Sequence, residues 1–312
     1  MDVMTAAPTK PRPRARPRRP PAGGRHPPAR WLAARWLALA TIAVAAAACG
    51  GDDTATAVPD GTTVVVANSP GTITTDGPQR VLIALLGDGP NDFVGGDDLP
   101  ATFGFRSLDD GGELDQVEGR WLSTAGVSLG LYIAGYDFDA PGLWEVAVVD
   151  GGNVPAALVE VVDDSSVPAP GEPAPRSDSP TAASVDEVAA ISTDPEPDLD
   201  FYRLSVADAV TNGRPTMVVF ASPAFCQTAV CGPTMDIAKR AVADHPNVDV
   251  VHVEPYDIEQ ARAGRLQPVA LMTEWGIVTE PWVFIVDGDG VISASFEGIV
   301  GEAELEQALA GL

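Results

Sequence analysis

The sequence predicts two folded regions of different class, an N-terminal all-β sandwich and a C-terminal α/β region. Within residues 62–162, short runs of β-forming residues alternate with clusters of Gly, Asp, Pro and Asn, and no long segment has helical periodicity. Within residues 199–312, the pattern predicts the element order β-α-β-α-β-β-α. Residues 163–198 are rich in Pro, Ser, Asp and Ala, and this composition predicts an extended linker between the two domains.

The charge of the chain is strongly acidic after its first segment. The 312 residues include 44 Asp and Glu but only 19 Lys and Arg, and nine of these basic residues precede residue 49. The remaining chain would repel phosphate backbones, so we expect no nucleic acid among its partners. Three cysteines are too few for a disulfide scaffold or a cysteine-rich metal site.

The N-terminus has the features of an export signal. A basic, Pro-rich and Arg-rich run leads into an apolar stretch of 13 residues, 36–48, and small residues follow. A bilayer span needs about 20 residues, so this stretch is too short to be an anchor by itself. We therefore predict a signal peptide at 1–48 and a mature chain outside the cytoplasm.

The small residues that end in Cys49 resemble the lipobox of bacterial lipoproteins, in which signal peptidase II cuts before a cysteine that becomes diacylated. Ala46 stands where the lipobox usually has Leu. The resemblance implies that Cys49 is lipidated and that residues 49–61 are a tether to the extracytoplasmic face of the cell membrane. The alternative is an ordinary secretory signal in which Cys49 has no role.

Six β-type runs subdivide the first folded region. They occupy residues 63–67, 81–86, 101–105, 129–133, 144–149 and 157–162. Six strands in about 100 residues fit an immunoglobulin-type sandwich at 62–162. The stretch 136–144 resembles the turn into a late strand of many extracellular Ig-like domains, although the cysteine pair of true Ig domains is missing.

Two motifs of the second region resemble those of thioredoxins. Cys231-Gly-Pro-Thr234 follows an apolar strand and opens a helix, where thioredoxins have Cys-Gly-Pro-Cys. About 50 residues later, the segment 275–285 is similar to the thioredoxin segment that holds the active-site cis-proline, with Pro281 in that position. The resemblance implies a thioredoxin fold over residues 199–312 and thiol–disulfide chemistry.

The cysteine spacing departs from the thioredoxin pattern. Thr234 replaces the second cysteine, and the other sulfur, Cys226, lies upstream in a C-x4-C arrangement. Thr228 and Cys231 resemble the T-x-x-C of peroxiredoxins, and the cysteine pair resembles the C-x3-C of Sco-type copper chaperones, but neither match is complete. Three hypotheses stay open: a redox-active pair, a structural disulfide in a non-catalytic binding or assembly module, and copper handling by the two cysteines. No other cofactor is expected.

For the redox hypothesis, the predicted nucleophile is Cys231, because unpaired N–H groups and the dipole at a helix N-terminus stabilise a thiolate. Cys226 would then resolve the mixed disulfide. In one continuous helix the two Cα atoms would be ~7.5 Å apart along the axis, beyond the ~7 Å limit of a disulfide. The sequence 222–224, Ser-Pro-Ala, therefore leads us to expect Cys226 in a loop. Pro281 would shape a groove for an extended substrate strand, and the expected partners are exported protein thiols or a membrane electron donor.

Two further residues and one turn can be interpreted from their positions in the sequence. Glu280, beside the expected cis-proline, should lie near the sulfurs and oppose thiolate formation. His252 alternates with valines on a predicted strand, which favours a core or strand-end histidine over a metal ligand. The sequence 287–290, Asp-Gly-Asp-Gly, lacks the remaining acids of an EF-hand and predicts a hairpin turn.

Overall fold

The computed structural model describes residues 58–89, 91–109, 111–124, 128–149 and 151–312. The predicted signal peptide at 1–48, Cys49 and most of the predicted tether lie outside these residues. All described residues belong to one compact unit. Within them, no helix has the length and apolar character needed to cross a membrane.

The first region is all-β, as predicted. Its described residues form seven antiparallel strands in the order β1-β2-β5-β4-β3-β6-β7. The strands are β1 (Thr63–Val66), β2 (Pro78–Leu86), β3 (Ala101–Ser107), β4 (Asp115–Ser123), β5 (Gly130–Asp137), β6 (Gly142–Val148) and β7 (Ala157–Val161). The first half of β4 pairs with β3 and its second half pairs with β5, so this strand joins the two halves of the sheet.

Strand β4 was missed by the sequence analysis. Only Leu122 of its nine residues is buried. A strand that is exposed along most of its length has no apolar run, and its backbone pairing with β3 and β5 holds it in the sheet. The other six strands overlap the six predicted runs.

Both faces of strand β2 are buried, and they face different cores. Val81, Ile83 and Leu85 point into the β region, where they pack with a group of tyrosine, phenylalanine and tryptophan rings. Leu82 and Ala84 point the other way and pack against residues of the second region. The period of two along a strand therefore lets β2 connect the two regions.

The second region has a thioredoxin-like fold. Its four-stranded sheet has the order β11-β10-β8-β9, with β8 (Thr216–Phe220) parallel to β9 (Asp249–Val253). Strand β10 (Trp282–Val286) is antiparallel to both β8 and β11 (Ile292–Glu297).

Helices cover both faces of this sheet. The longest are α3 (Cys231–Ala243) and α6 (Glu302–Ala310), whose buried residues share one core. The shorter ones are α1 (Val185–Val188), α2 (Val206–Ala209), α4 (Ile258–Arg262) and α5 (Ala270–Glu274), and residues Leu199–Tyr202 form a 3₁₀ turn. Residues of α2 and α5 pack in the core on the opposite face of the sheet. The sheet order and the α/β alternation confirm the predicted fold of this region.

The segment predicted as a linker, residues 163–198, is packed against the α/β region. Val167 and Ala174 are buried in the core that contains Trp275. Ala182 and Val188 are buried in the core on the other side of the sheet. The small apolar residues between its prolines bury the segment against the sheet, and part of it forms helix α1, so the segment is not a free, fully extended linker. The predicted domain limits themselves stay predictions.

Polar contacts also connect the β region to the α/β region. The Arg80 guanidinium pairs with Glu304 at 3.0 Å and donates to the carbonyl oxygens of Glu297 and Ile299 at 3.0 and 2.7 Å. The Glu297 carboxylate accepts from the backbone N–H of Ser69 at 2.6 Å. Since Glu297 is 7% exposed, this contact is shielded from water.

The seating of the predicted linker can be tested at Gly276. Its φ is +65°, and a Cβ at this position would overlap the carbonyl oxygen of Ser166. The matched control is Gly213, whose φ is +85° but which has nothing within 4 Å of an added Cβ. We expect Gly213→Ala to lower the unfolding free energy by about 1–2 kcal/mol, from backbone strain alone. Gly276→Ala should lose about 1–3 kcal/mol more, from steric overlap. Urea denaturation measures both, and equal losses would show that Ser166 does not lie against Gly276.

Candidate thiol–disulfide site

Cys226 and Cys231 form a disulfide at the start of α3, with Cα atoms 5.9 Å apart. Strand β8 ends at Phe220, and the following loop contains Cys226 before the helix begins at Cys231. Ala229 in this loop has a φ of +62°. This left-handed residue turns the chain, so that the loop brings one sulfur to the other. The expectation that Cys226 lies in a loop is confirmed.

The two sulfurs differ in exposure. Cys231 is 0% exposed, whereas Cys226 is partly exposed. The backbone N–H of Cys231 donates to Cys226 Sγ at 3.2 Å, and Thr228 Oγ1 lies 3.3 Å from the same sulfur. The helix N-terminus therefore acts on Cys226 as well, and the predicted role of Cys231 as the attacking sulfur stays a prediction.

Pro281 lies next to this pair in the segment before β10. The Glu280–Pro281 peptide bond is cis, as the resemblance implied, and Pro281 is buried. The Thr228 hydroxyl donates to the carbonyl oxygen of Glu280 at 3.3 Å. The cysteine loop and the proline segment are thus in direct contact. The role of Pro281 in shaping a substrate groove stays a prediction.

The carboxylate of Glu280 is buried beside the sulfurs, as expected from the sequence. Glu280 is 3% exposed, and one of its oxygens and the sulfurs of Cys226 and Cys231 all lie within 4.8 Å of one another. The Tyr256 hydroxyl donates to Oε2 at 2.6 Å, and the Gln227 backbone N–H donates to Oε1 at 3.2 Å. Burial and the hydrogen bond to Glu280 raise the pKa of Tyr256 to about 12.

Two opposing electrostatic effects act on a thiolate at this site. Repulsion between two unit charges 4 Å apart is about 4 kcal/mol at an effective dielectric constant of about 20. Stabilisation by a helix N-terminus is typically about 0.3–1 kcal/mol and reaches about 2 kcal/mol. The Glu280 carboxylate therefore outweighs the helix dipole at the sulfur nearest to it.

A second buried acid, Glu254, was missed by the sequence analysis. Its carboxylate accepts from the Ser222 hydroxyl, and from the backbone N–H and the hydroxyl of Thr193, both at 2.8 Å. Burial raises the pKa of Glu254, the three hydrogen bonds oppose the rise, and the charge of Glu280 adds to it. The sequence did contain a signal for Glu254, because this acid directly follows the apolar strand β9. Strand β9 is parallel to β8, so both strands end at the same edge of the sheet.

The histidine singled out by the sequence is a core residue, as expected. His252 is 4% exposed. Its Nε2 lies 2.8 Å from the carbonyl oxygen of Ala221, which can only accept, so Nε2 is the protonated nitrogen. Nδ1 accepts from the Tyr202 hydroxyl at 3.0 Å. Burial lowers the pKa of His252 to about 4.

The predicted hairpin turn between β10 and β11 is also confirmed. Asp287 Oδ1 accepts from the backbone N–H groups of Asp289 and Val291, both at 2.9 Å. The Asp287 carboxylate therefore stabilises the turn through these hydrogen bonds.

Comparisons with known proteins do not assign this chain to a family. No protein-family model matches it, and no curated protein matches it. A solved structure of MTB DsbF in its mixed oxidized and reduced forms matches with 18% sequence identity and a TM-score of 0.26, covering 34% of this chain and 84% of that chain. At this TM-score the likeness supports no argument, and the fold assignment rests on the order and direction of the strands.

The state of His252 predicts a pH dependence of stability. Its pKa in the folded protein is about 4, against about 6.5 in an unfolded chain. Between these values the unfolded chain binds a proton that the folded protein does not, so stability is lost as the pH falls through this range. We expect a loss of about 3 kcal/mol in unfolding free energy from pH 7 to pH 4 attributable to this residue.

Urea denaturation across this pH range compares wild type with His252→Gln. We expect this variant to be less stable at pH 7 but to lack the loss of stability that His252 causes as the pH falls. The matched control is His245→Gln, outside the core after α3, which should keep the wild-type slope. A wild-type slope in His252→Gln would contradict the assignment.

Proposed function

We propose that this protein is an exported, membrane-anchored thiol–disulfide oxidoreductase of thioredoxin type, with Cys226 and Cys231 as its redox pair. The observation that carries the proposal is the disulfide between these residues at the start of α3, next to the cis Glu280–Pro281 bond. Exported protein thiols or disulfides are the proposed substrates, and a membrane electron donor is the proposed redox partner.

In this proposal Cys226 forms the mixed disulfide with the partner protein, and Cys231 resolves it. These roles are the reverse of those predicted from the sequence. A partner sulfur needs access along the line of the disulfide; Cys226 is partly exposed, whereas Cys231 is 0% exposed. The backbone N–H of Cys231 donates to Cys226 Sγ and would stabilise a Cys226 thiolate, whereas the Thr228 hydroxyl donates to the carbonyl oxygen of Glu280. Both criteria, access and hydrogen bonding, favour Cys226.

For the first region we propose an Ig-like sandwich. When the seven strands are lettered A to G, the strand order gives A-B-E-D on one side and C-F-G on the other, the arrangement of an immunoglobulin constant-type domain. Its contacts with Glu297, Ile299 and Glu304 favour a fixed scaffold for the redox region over a loose spacer.

The rival proposal is a non-catalytic binding or assembly module in which the disulfide is structural. The complete burial of Cys231 and the acid beside the sulfurs favour this alternative. The two proposals differ in the reactivity of the thiols.

Iodoacetamide alkylation of single mutants distinguishes them. In a Cys49→Ser background, Cys231→Ser leaves Cys226 as the only thiol, and Cys226→Ser leaves Cys231. We expect Cys226 to alkylate at least about tenfold faster because it is partly exposed and accepts a backbone N–H, and Cys231→Ser to trap a mixed disulfide with a partner. Faster alkylation of Cys231 would restore the sequence-based roles. If both thiols are inert and the disulfide resists millimolar glutathione, the pair is structural and the rival proposal holds.

The proposed lipid anchor is tested by Cys49→Ser. We expect this variant to appear in the medium or to remain as uncut precursor, because the acylated residue is gone. Cell fractionation followed by immunoblotting measures the distribution. Cys226→Ser is the control and should stay in the membrane fraction. A mature, membrane-bound Cys49→Ser protein would contradict lipidation as the anchor.

A further inference from the structure

We infer that Cys226, Cys231 and Glu280 form a zinc site when the disulfide between the two cysteines is reduced. One ligand atom from each residue, the two Sγ atoms and a carboxylate oxygen, lies within 4.8 Å of the other two. Such a site goes beyond the proposed function, because it requires the pair to be reduced but not to exchange with a partner protein.

The spacing of these three atoms is close to that of zinc ligands. In a tetrahedral site with Zn–S bonds of about 2.3 Å and Zn–O bonds of about 2.0 Å, neighbouring ligand atoms are about 3.5–3.8 Å apart. Cys226 lies in the loop between β8 and α3. Once the disulfide opens, a rotation of its side chain can bring the sulfurs to this separation without a change in the helix.

The Glu280 carboxylate is held in the way that metal-binding carboxylates are held. The Tyr256 hydroxyl donates to Oε2 at 2.6 Å, and the Gln227 backbone N–H donates to Oε1 at 3.2 Å. An ionised carboxylate has about four lone-pair sites, so two hydrogen bonds leave sites free for a metal. Hydrogen bonds from neighbouring groups orient a ligating carboxylate, and Glu280 is 3% exposed, so the carboxylate stays beside the sulfurs.

The three ligands bring negative charge that the protein does not balance. Two thiolates and a carboxylate carry three negative charges. None of the ion pairs within the part of the chain that the structure describes includes Glu280. A divalent cation supplies positive charge at this point. The carboxylate opposes a thiolate that stands alone, but it adds to the attraction of the two thiolates for a metal ion.

The donor set favours zinc over other metals. Mg²⁺ and Ca²⁺ take oxygen ligands, whereas thiolates suit zinc and Cu(I). Zinc binds cysteine sulfur and carboxylate oxygen, but a carboxylate suits harder metals than Cu(I). Two sulfurs and one oxygen therefore fit Zn²⁺ better than the copper considered from the sequence.

The fourth position of the site is open to water. Among the described residues, no further His, Cys, Asp or Glu belongs to the group. Zinc with three protein ligands takes water in its fourth position, and Cys226 is partly exposed, so solvent reaches this side of the site.

Zinc binding and disulfide formation exclude each other. An external dithiol gives two electrons to the protein disulfide, which becomes two thiols while the donor becomes a disulfide. Zn²⁺ then replaces the proton of each thiol, and the two protons go to solvent. Two Zn–S bonds and one bond to the Glu280 carboxylate form. Transfer of two electrons to an external disulfide reverses these steps and releases the metal.

The test measures zinc binding by the full chain carrying Cys49→Ser, the parent protein, in which the proposed site supplies the only thiols. The protein is reduced with a phosphine and titrated without oxygen against a chromophoric zinc chelator. Glu280→Gln removes the carboxylate ligand, and Tyr256→Phe removes its hydrogen bond. The matched control is Glu254→Gln, which replaces a buried acid outside the group.

We expect the reduced parent to bind one Zn²⁺ per chain and the oxidised parent to bind none. Glu280→Gln should weaken binding at least about 100-fold and Tyr256→Phe about tenfold, whereas Glu254→Gln should change the affinity less than about threefold. Parent-like affinity in Glu280→Gln overturns the inference. So does zinc binding no tighter than in a variant with both cysteines replaced by serine, or tight Cu(I) binding without zinc binding.

A second measurement on the parent does not depend on the folding of any ligand variant. X-ray absorption at the zinc edge of the reduced complex should show two sulfur neighbours at about 2.3 Å and oxygen neighbours at about 2.0 Å. Four sulfur neighbours would mean a metal shared between two chains, and a shell without sulfur would mean an adventitious ion only. Either result overturns the inference.

Discussion

The packing of Val230 against the outward face of the β region positions the Cys226–Cys231 disulfide. Val230 is 2% exposed and shares an apolar cluster with Leu82, Leu131 and Ile133. It immediately precedes Cys231, so the residue at which α3 begins is held by a different part of the chain. On the other side of the disulfide, the Ser69 hydroxyl lies 2.7 Å from that of Thr279, the residue before Glu280. Both segments that frame the disulfide are thus held by the β region, and a change in its packing would move the sulfurs.

The site combines two electrostatic influences on the sulfurs. The first N–H of α3 points to Cys226, which favours a thiolate there. The Glu280 carboxylate opposes charge on either sulfur. Burial strengthens the carboxylate effect more than the effect of a partly exposed helix end.

The segment between the two regions belongs to the environment of the site. Thr193 gives two hydrogen bonds to Glu254, and Ser222 gives a third. The hydroxyl of Thr193 also accepts from the backbone N–H of Ala224, two residues before Cys226. Residues 163–198 therefore hold the cysteine loop as well as joining the two regions. This explains why a segment with a linker-like composition is buried at several of its small residues.

The sequence by itself determined the local chemistry of this protein. The β-type runs with their turn residues, the helix that opens at Cys231 and the placement of Cys226 in a loop follow from short-range patterns. The same holds for the core position of His252, whose strand neighbours are valines. Strand β4 was not predicted because its side chains are mostly exposed. It is held in the sheet by backbone pairing and has no apolar run that the sequence analysis could detect.

Only the tertiary structure decided which sulfur meets solvent, because the burial of Cys231 depends on residues far away in the chain. It also decided that Glu254 and Glu280 lie together, since they follow strand β9 and precede strand β10, on either side of strand β8. The docking of the β region depends on contacts between residues more than 200 positions apart, such as Arg80 with Glu304. Burial and long-range charge pairing arise only when the whole chain is packed, and local sequence patterns cannot specify them.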